Sequence, residues 1–213
     1  MDNSFKYIYK LVDSTPGWLG KKEAYILFAL AGYCSNTGTI VEIGSYKGRS
    51  TIALASGAPE DVVINAIDPH TGTNSDVDLG LNVDTFQEFL ENTKQFKNIH
   101  AIRELSVDAT QDDSVKAIQL LFIDGWHSEQ AVDNDIKLYL PLCANGAIVV
   151  FDDWNRKGVG AGIQKNLKML PNLLGAADNF LIFSDNLRVN KNILFKFIKM
   201  TTPAEVVKTY RSS

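Results

Sequence analysis

Short apolar runs rich in β-branched residues alternate along the chain with longer stretches whose apolar positions recur every three or four residues. The short runs, at residues 39–43, 62–67, 99–103, 120–124 and 147–151, read as strands buried on both faces. Between them, Phe86, Phe89 and Leu90 mark one helix, and Val132, Ile136, Tyr139 and Leu140 mark another. Ser128 is placed to cap the second helix and Pro141 to end it. Ahead of the first strand, Ala24, Leu27, Phe28 and Ala31 share one face of a helix over residues 23–31. This alternation predicts right-handed βαβ units, hence a parallel sheet covered by helices. Two further runs, at 180–184 and 193–198, are separated only by the polar segment DNLRVNKN. No helix fits between them, so they are expected to form an antiparallel hairpin at or near the sheet's edge. Thr202 before Pro203 can open a short closing helix. The longest irregular stretch, 71–83, is expected to be a lid or a disordered segment.

The length, 213 residues, suits one domain. Its expected parts are a helical segment over about 1–38, a core over about 39–199 and a tail over 200–213. A chain of this size buries about 70% of its unfolded surface, so a core forms without staples. Net charge is −4, which does not suggest a protein that tracks nucleic-acid phosphates. Cys34 and Cys143 provide neither a disulfide framework nor zinc spacing. The first residues show no secretory signal, and the longest apolar run, residues 24–34, is too short to span a membrane. A soluble cytoplasmic protein is the expectation; the oligomeric state stays open, a homo-oligomer included.

The sharpest local signal is VEIGSYKGRSTIALA, which begins at Val41. A strand ends at Ile43, glycines follow at 44 and 48, and a helix begins near Gly48. In doubly wound sheets ligands bind beyond the carboxyl ends of the strands. Gly44 lets backbone approach a ligand closely, and the free amides of the helix start, with the Ser50 hydroxyl, suit a carboxylate or phosphate. The spacing is neither the dinucleotide fingerprint nor a nucleoside-triphosphate loop. Glu42 precedes the glycines, where a simple buried strand has no use for a carboxylate, and is expected with them as a cofactor contact. Asp68 closes the second strand, placed either for ribose hydroxyls or as a turn residue before Pro69.

VEIGSYKGRS resembles the first motif of class I S-adenosylmethionine-dependent methyltransferases. The chain from about Gly17 to Ile198 is similar to the catechol O-methyltransferase-like group and to the methyltransferase 24 and macrocin O-methyltransferase-like families. The resemblance implies a three-layer α/β sandwich with a Rossmann-like, mostly parallel seven-stranded sheet whose last strand is antiparallel. It also implies S-adenosylmethionine with its methionine end over Gly44, Ser45, Tyr46, Gly48 and Ser50, and its ribose at Asp68. Ser106 matches the position near the adenine, and as a sequence feature it equally suits a helix N-cap.

Two more clusters, FIDGWH at 122–127 and VFDDW at 150–154, put Asp124, Asp152 and Asp153 on the sheet's carboxyl edge beside the cofactor. Carboxylates so close repel one another. A divalent cation, Mg²⁺ or Mn²⁺, relieves that repulsion; the alternative is that one or two of the acids bind amides or a basic side chain. An unperturbed histidine titrates near neutrality, so His127, three residues past Asp124, is the candidate base, with a purely structural role as the alternative. The matching residue in catechol O-methyltransferases is a lysine, and Asp153 stands where that group has asparagine. His70 either covers the cofactor or binds substrate, and His100 falls at the wrong sheet edge. Trp126 and Trp154 either line the acceptor pocket or pack the core. The G-x-G-x-G run at 158–162 is expected as a mobile connection into the next helix. The expected reaction is metal-dependent methyl transfer to a hydroxyl of a small acceptor: a sugar, a phenol or a natural product. Metal-dependent oxidation on the same scaffold, as in cephalosporin hydroxylase-like relatives, and cofactor binding without catalysis are the rivals.

Overall fold

A computed structural model of the chain describes residues 3–72 and 83–186. Five parallel strands form its centre: β1 (Thr39–Ile43), β2 (Ile64–Ile67), β3 (Ile99–Ile102), β4 (Ile118–Ile123) and β5 (Cys143–Phe151). A hairpin of β6 (Leu173–Ala177) and β7 (Phe180–Ser184) completes the sheet among the described residues, in the order β3-β2-β1-β4-β5-β7-β6. β7 runs antiparallel to both β5 and β6. The strand order reverses between β1 and β4, the switch point at which open α/β sheets bind ligands.

Alternation along the strands divides the core in two. Ile40, Leu120, Phe122, Ile148 and Val150 face α1 (Asn3–Ser14), α2 (Lys21–Ala31) and α3 (Arg49–Gly57). Val41, Ile43, Leu121, Ile123, Val149 and Phe151 face α6 (Glu129–Tyr139) and α7 (Lys157–Asn166). Two shorter helices, α4 (Phe86–Thr93) and α5 (Ser106–Ala109), follow β2 and β3. The result is the three-layer, mostly parallel sandwich. Ser128 caps α6 by accepting from the Ala131 amide at 3.2 Å.

The hairpin differs from expectation. The 180–184 strand forms as β7, but its partner is β6, reached through the two-residue turn Asp178–Asn179. The run at 193–198, the segment after Thr202 and residues 73–82 of the expected long loop lie outside the described residues. The G-x-G-x-G run is no connection; its glycines lie inside α7 and let that helix lie against α6. A Cβ at Gly158 would stand 2.1 Å from the His127 carbonyl oxygen, and one at Gly162 would stand 2.7 Å from Val132.

Candidate active site

The parallel ladder carries four candidate site residues to one level. Just past the strand ends, Gly44 donates to the Ile67 carbonyl at 2.8 Å and Asp68 to Ile102 at 3.1 Å. Asp124 donates to Ile43 at 2.9 Å and Asp152 to Ile123 at 3.0 Å. Register alone therefore gathers residues distant in sequence along one carboxyl edge. A cavity of about 580 Å³, within the usual range for small-molecule sites, opens there. Gly44, Ser45, Tyr46, Ser50, Asp68, Ser106, Asp124, His127, Asp152 and Asp153 all line it.

Gly44 adopts φ +91°, and a Cβ there would stand 2.1 Å from the Asp124 carbonyl oxygen. The close approach that requires glycine is to the neighbouring strand's own backbone. Gly48, at φ +92°, is the left-handed cap of α3; it does not line the cavity, and a Cβ there would meet Thr93 at 2.7 Å. Asp68 accepts from the Tyr46 amide at 2.7 Å and the His70 amide at 2.6 Å, tying the glycine turn to the end of β2. Glu42 lies beneath the turn and is fully buried, with Thr51 donating to it. Burial pushes its carboxyl up to about 7, against the pull of the Ser50 and Thr51 hydroxyls. Glu42 thus supports the turn from below and does not line the cavity. The Ser106 hydroxyl makes no helix cap; it donates to buried Asp135 at 2.6 Å.

At the other end of the cavity three acids crowd together. Burial first, then the charge of Asp153, pushes the Asp124 carboxyl well above the ordinary carboxylate range. Burial and Asp124 push Asp152 up to about 9. Asp152 accepts from the Asp153 amide at 2.7 Å. Asp153 takes a left-handed φ of 50°. Its Oδ2 lies 2.7 Å from Arg156 Nε and 3.5 Å from His127 Nε2. That histidine nitrogen is also 3.8 Å from Asp124, sealed from solvent and without a hydrogen-bond partner among the described residues. Arg156 Nη1 reaches His127 Nδ1 at 3.2 Å. Desolvation and then Arg156 lower the imidazole's pKa.

The periodicity did not reveal the strap over residues 16–19, which carries Trp18 to the cavity wall. Trp18 is 78% exposed and lies 5.3 Å from the Tyr46 ring. Arg49, the first residue of α3, holds the strap by donating to Thr15 O at 2.8 Å and Leu19 O at 3.0 Å. A tryptophan beside Pro-Gly, outside any periodic face, was the available signal. Trp126 lines the cavity, whereas Trp154 packs against the core. His70 is buried against Phe86 and Phe89, and its Nδ1 lies 3.0 Å from the Thr85 hydroxyl. His100 bonds Asn65 and Ser114 away from the cavity.

The Methyltransf_24 family, described as a methyltransferase domain, matches residues 41–154, more than half of the chain. The chain belongs to that family. The chain is 30% identical over 116 residues to uncharacterized protein R132 of Acanthamoeba polyphaga mimivirus, covering 54% of this chain and 51% of that one. The chain thus aligns with about half the length of that relative. Its fold is shared with the O-methyltransferase NovP, at TM-score 0.68 and 10% identity over 86% of this chain and 100% of that one. The Bacillus cereus O-methyltransferase in complex with S-adenosylhomocysteine gives TM-score 0.59 and 16% identity, covering 85% and 90%. TomG of Streptomyces achromogenes, in complex with S-adenosylmethionine, gives 0.57 and 15%, over 86% and 90%. No helix among the described residues is long and apolar enough to cross a membrane.

The expected cation meets a mixed site. Among the described residues, no three His, Cys, Asp or Glu side chains stand ready around a metal position. The donors suit a hard divalent cation in type: three carboxylates, two of them raised by crowding and burial. One is occupied, because Arg156 stands on Asp153.

Proposed function

We propose that the methyltransferase moves a methyl group from S-adenosylmethionine to a hydroxyl oxygen of a small acceptor, with a divalent cation bound at its acids. The observation that carries this reading is one cavity bounded by the glycine turn, Asp68 and three acids beside a histidine. The S-adenosylhomocysteine and S-adenosylmethionine in the complexes of the Bacillus cereus enzyme and TomG support the choice of cosubstrate. The free amides at the start of α3 suit the methionine carboxylate. Asp68 accepts from the ribose hydroxyls, and the Ser106–Asp135 pair lies at the adenine end. Asp124, Asp152 and Asp153 would hold Mg²⁺ or Mn²⁺, which supplies Lewis acidity that lowers the acceptor hydroxyl's pKa. His127 Nε2 is sealed between Asp124 and Asp153, so the acceptor's proton goes to Nδ1. The charge of Asp153, which works against the lowering of the imidazole's pKa, favours the imidazolium that forms. The acceptor oxygen bonds to the methyl carbon as the carbon–sulfur bond breaks, giving S-adenosylhomocysteine and a methyl ether.

The test is methyl transfer from labelled S-adenosylmethionine to sugars, phenols and hydroxylated natural products, before and after chelation. Chelation should abolish turnover and Mg²⁺ or Mn²⁺ should restore it. Asp124→Ala and Asp152→Ala should lose metal-dependent turnover yet keep S-adenosylhomocysteine binding. His127→Ala should lower turnover about 100- to 10,000-fold. Full turnover after exhaustive chelation removes the cation from the account. Oxygen consumption without methyl transfer overturns the reaction itself.

A further inference from the structure

Arg156 reaches its place through two local features of the chain. Asp153 takes a left-handed backbone, and the Arg156 amide donates back to the Asp153 carbonyl at 2.8 Å. That tight turn folds the arginine onto the carboxylate three residues before it, with Nε on Oδ2 at 2.7 Å. Gly158 then lets the first turn of α7 lie against the His127 backbone, which brings the guanidinium within 3.2 Å of His127 Nδ1.

One side chain therefore holds two of the groups the reaction needs. A guanidinium only donates hydrogen bonds, so its approach uses the Nδ1 lone pair and leaves the proton of a neutral imidazole on Nε2. The same guanidinium neutralises Asp153. Yet Arg156 is poorly anchored: its side chain is 58% exposed, and half-exposed ion pairs are weak. A doubly charged ion attracts the carboxylates more strongly than a half-exposed guanidinium does, and the two cations repel each other at Asp153.

We propose that Arg156 and a divalent cation are alternative occupants of Asp153, so that Arg156 sets the metal affinity of the site and leaves His127 Nδ1 when the ion enters. The inference rests on the reading of Asp124, Asp152 and Asp153 as cation ligands. Arg156 is a positioning residue: it acts through Asp153 and His127.

The test is Mn²⁺ binding without acceptor, followed by electron paramagnetic resonance and by calorimetry, in the wild type, Arg156→Ala, Arg156→Lys and Asp153→Ala. Arg156→Ala should bind Mn²⁺ at least about tenfold more tightly than the wild type, equivalent to about 1.4 kcal/mol. Arg156→Lys should fall between, because a lysine keeps the charge without the fork. Asp153→Ala should bind more weakly than the wild type. Equal or weaker affinity in Arg156→Ala, with Asp153→Ala still impaired, overturns the competition and leaves the ligand reading intact. Mn²⁺ binding that is insensitive to Asp153→Ala, or absent from every variant, overturns both.

Discussion

Asp133 and Asp135 lie two positions apart on α6, both buried, and titrate in opposite directions. Asp133 accepts from Lys165, Asn166 and Lys137, and those bonds hold its carboxyl well below the ordinary range. Asp135 has only the Ser106 hydroxyl against its desolvation, and burial pushes it up to about 6. The first group stabilises the fold above the carboxylate's unfolded pKa, and its contribution is lost as pH falls through the lowered folded value. The second does the reverse: charging it in the fold is unfavourable, and the penalty grows as pH rises from about 4 to about 6. Thermal melts should therefore show Asp133→Ala less stable than the wild type at pH 7, with the difference closing in acid. Asp135→Asn should be more stable at pH 7.5, by on the order of 2–3 kcal/mol, with the gain gone near pH 4. A gain for Asp135→Asn that persists at pH 4 would contradict this account. At this scale the sequence showed the acids at strand ends, since each closes an apolar run. It did not show buried acids within a helix: Val132, Ile136 and Tyr139 marked the apolar face, while the carboxylates between them depend on partners from other elements.

Among the elements, α6 and α7 are pressed together by small residues. Gly158 and Gly162 lie where a Cβ would meet His127 O and Val132. Gly162→Leu should destabilise the fold by about 1–3 kcal/mol in denaturant unfolding, the scale of overpacking a core. Unchanged stability would mean that the helices have room to part. Strands β1 to β5 were legible because β-branched runs between helical patterns have few other uses. β6 was not, because its sequence LLGAA has small residues of low strand propensity, and pairing with β7 makes it a strand. The true turn, Asp178–Asn179, places Asp178 at a left-handed φ of 53°, which aspartate tolerates. The glycines of α7 read as loop signals by composition, yet they are contact points by packing.

For the whole molecule, topology does what local sequence cannot. Parallel register brings Gly44, Asp68, Asp124 and Asp152 to one edge at the strand-order reversal between β1 and β4, so a strand-end reading of the motifs found most of the cavity. Trp18, Arg49 and Arg156 escaped that reading, because a strap, a clamp and a helix entry owe their places to tertiary contacts. Where the motif reading named Glu42 and Gly48 as cofactor contacts, the three-layer packing puts one beneath the turn and the other against Thr93. The central claim is that the cavity holds an S-adenosyl cosubstrate, and calorimetric titration of the wild-type chain with S-adenosylhomocysteine tests it most directly. The account predicts saturable binding at micromolar Kd or tighter, about −8 kcal/mol, and far weaker binding of NAD. No heat with S-adenosylhomocysteine, or equal affinity for NAD, would contradict it.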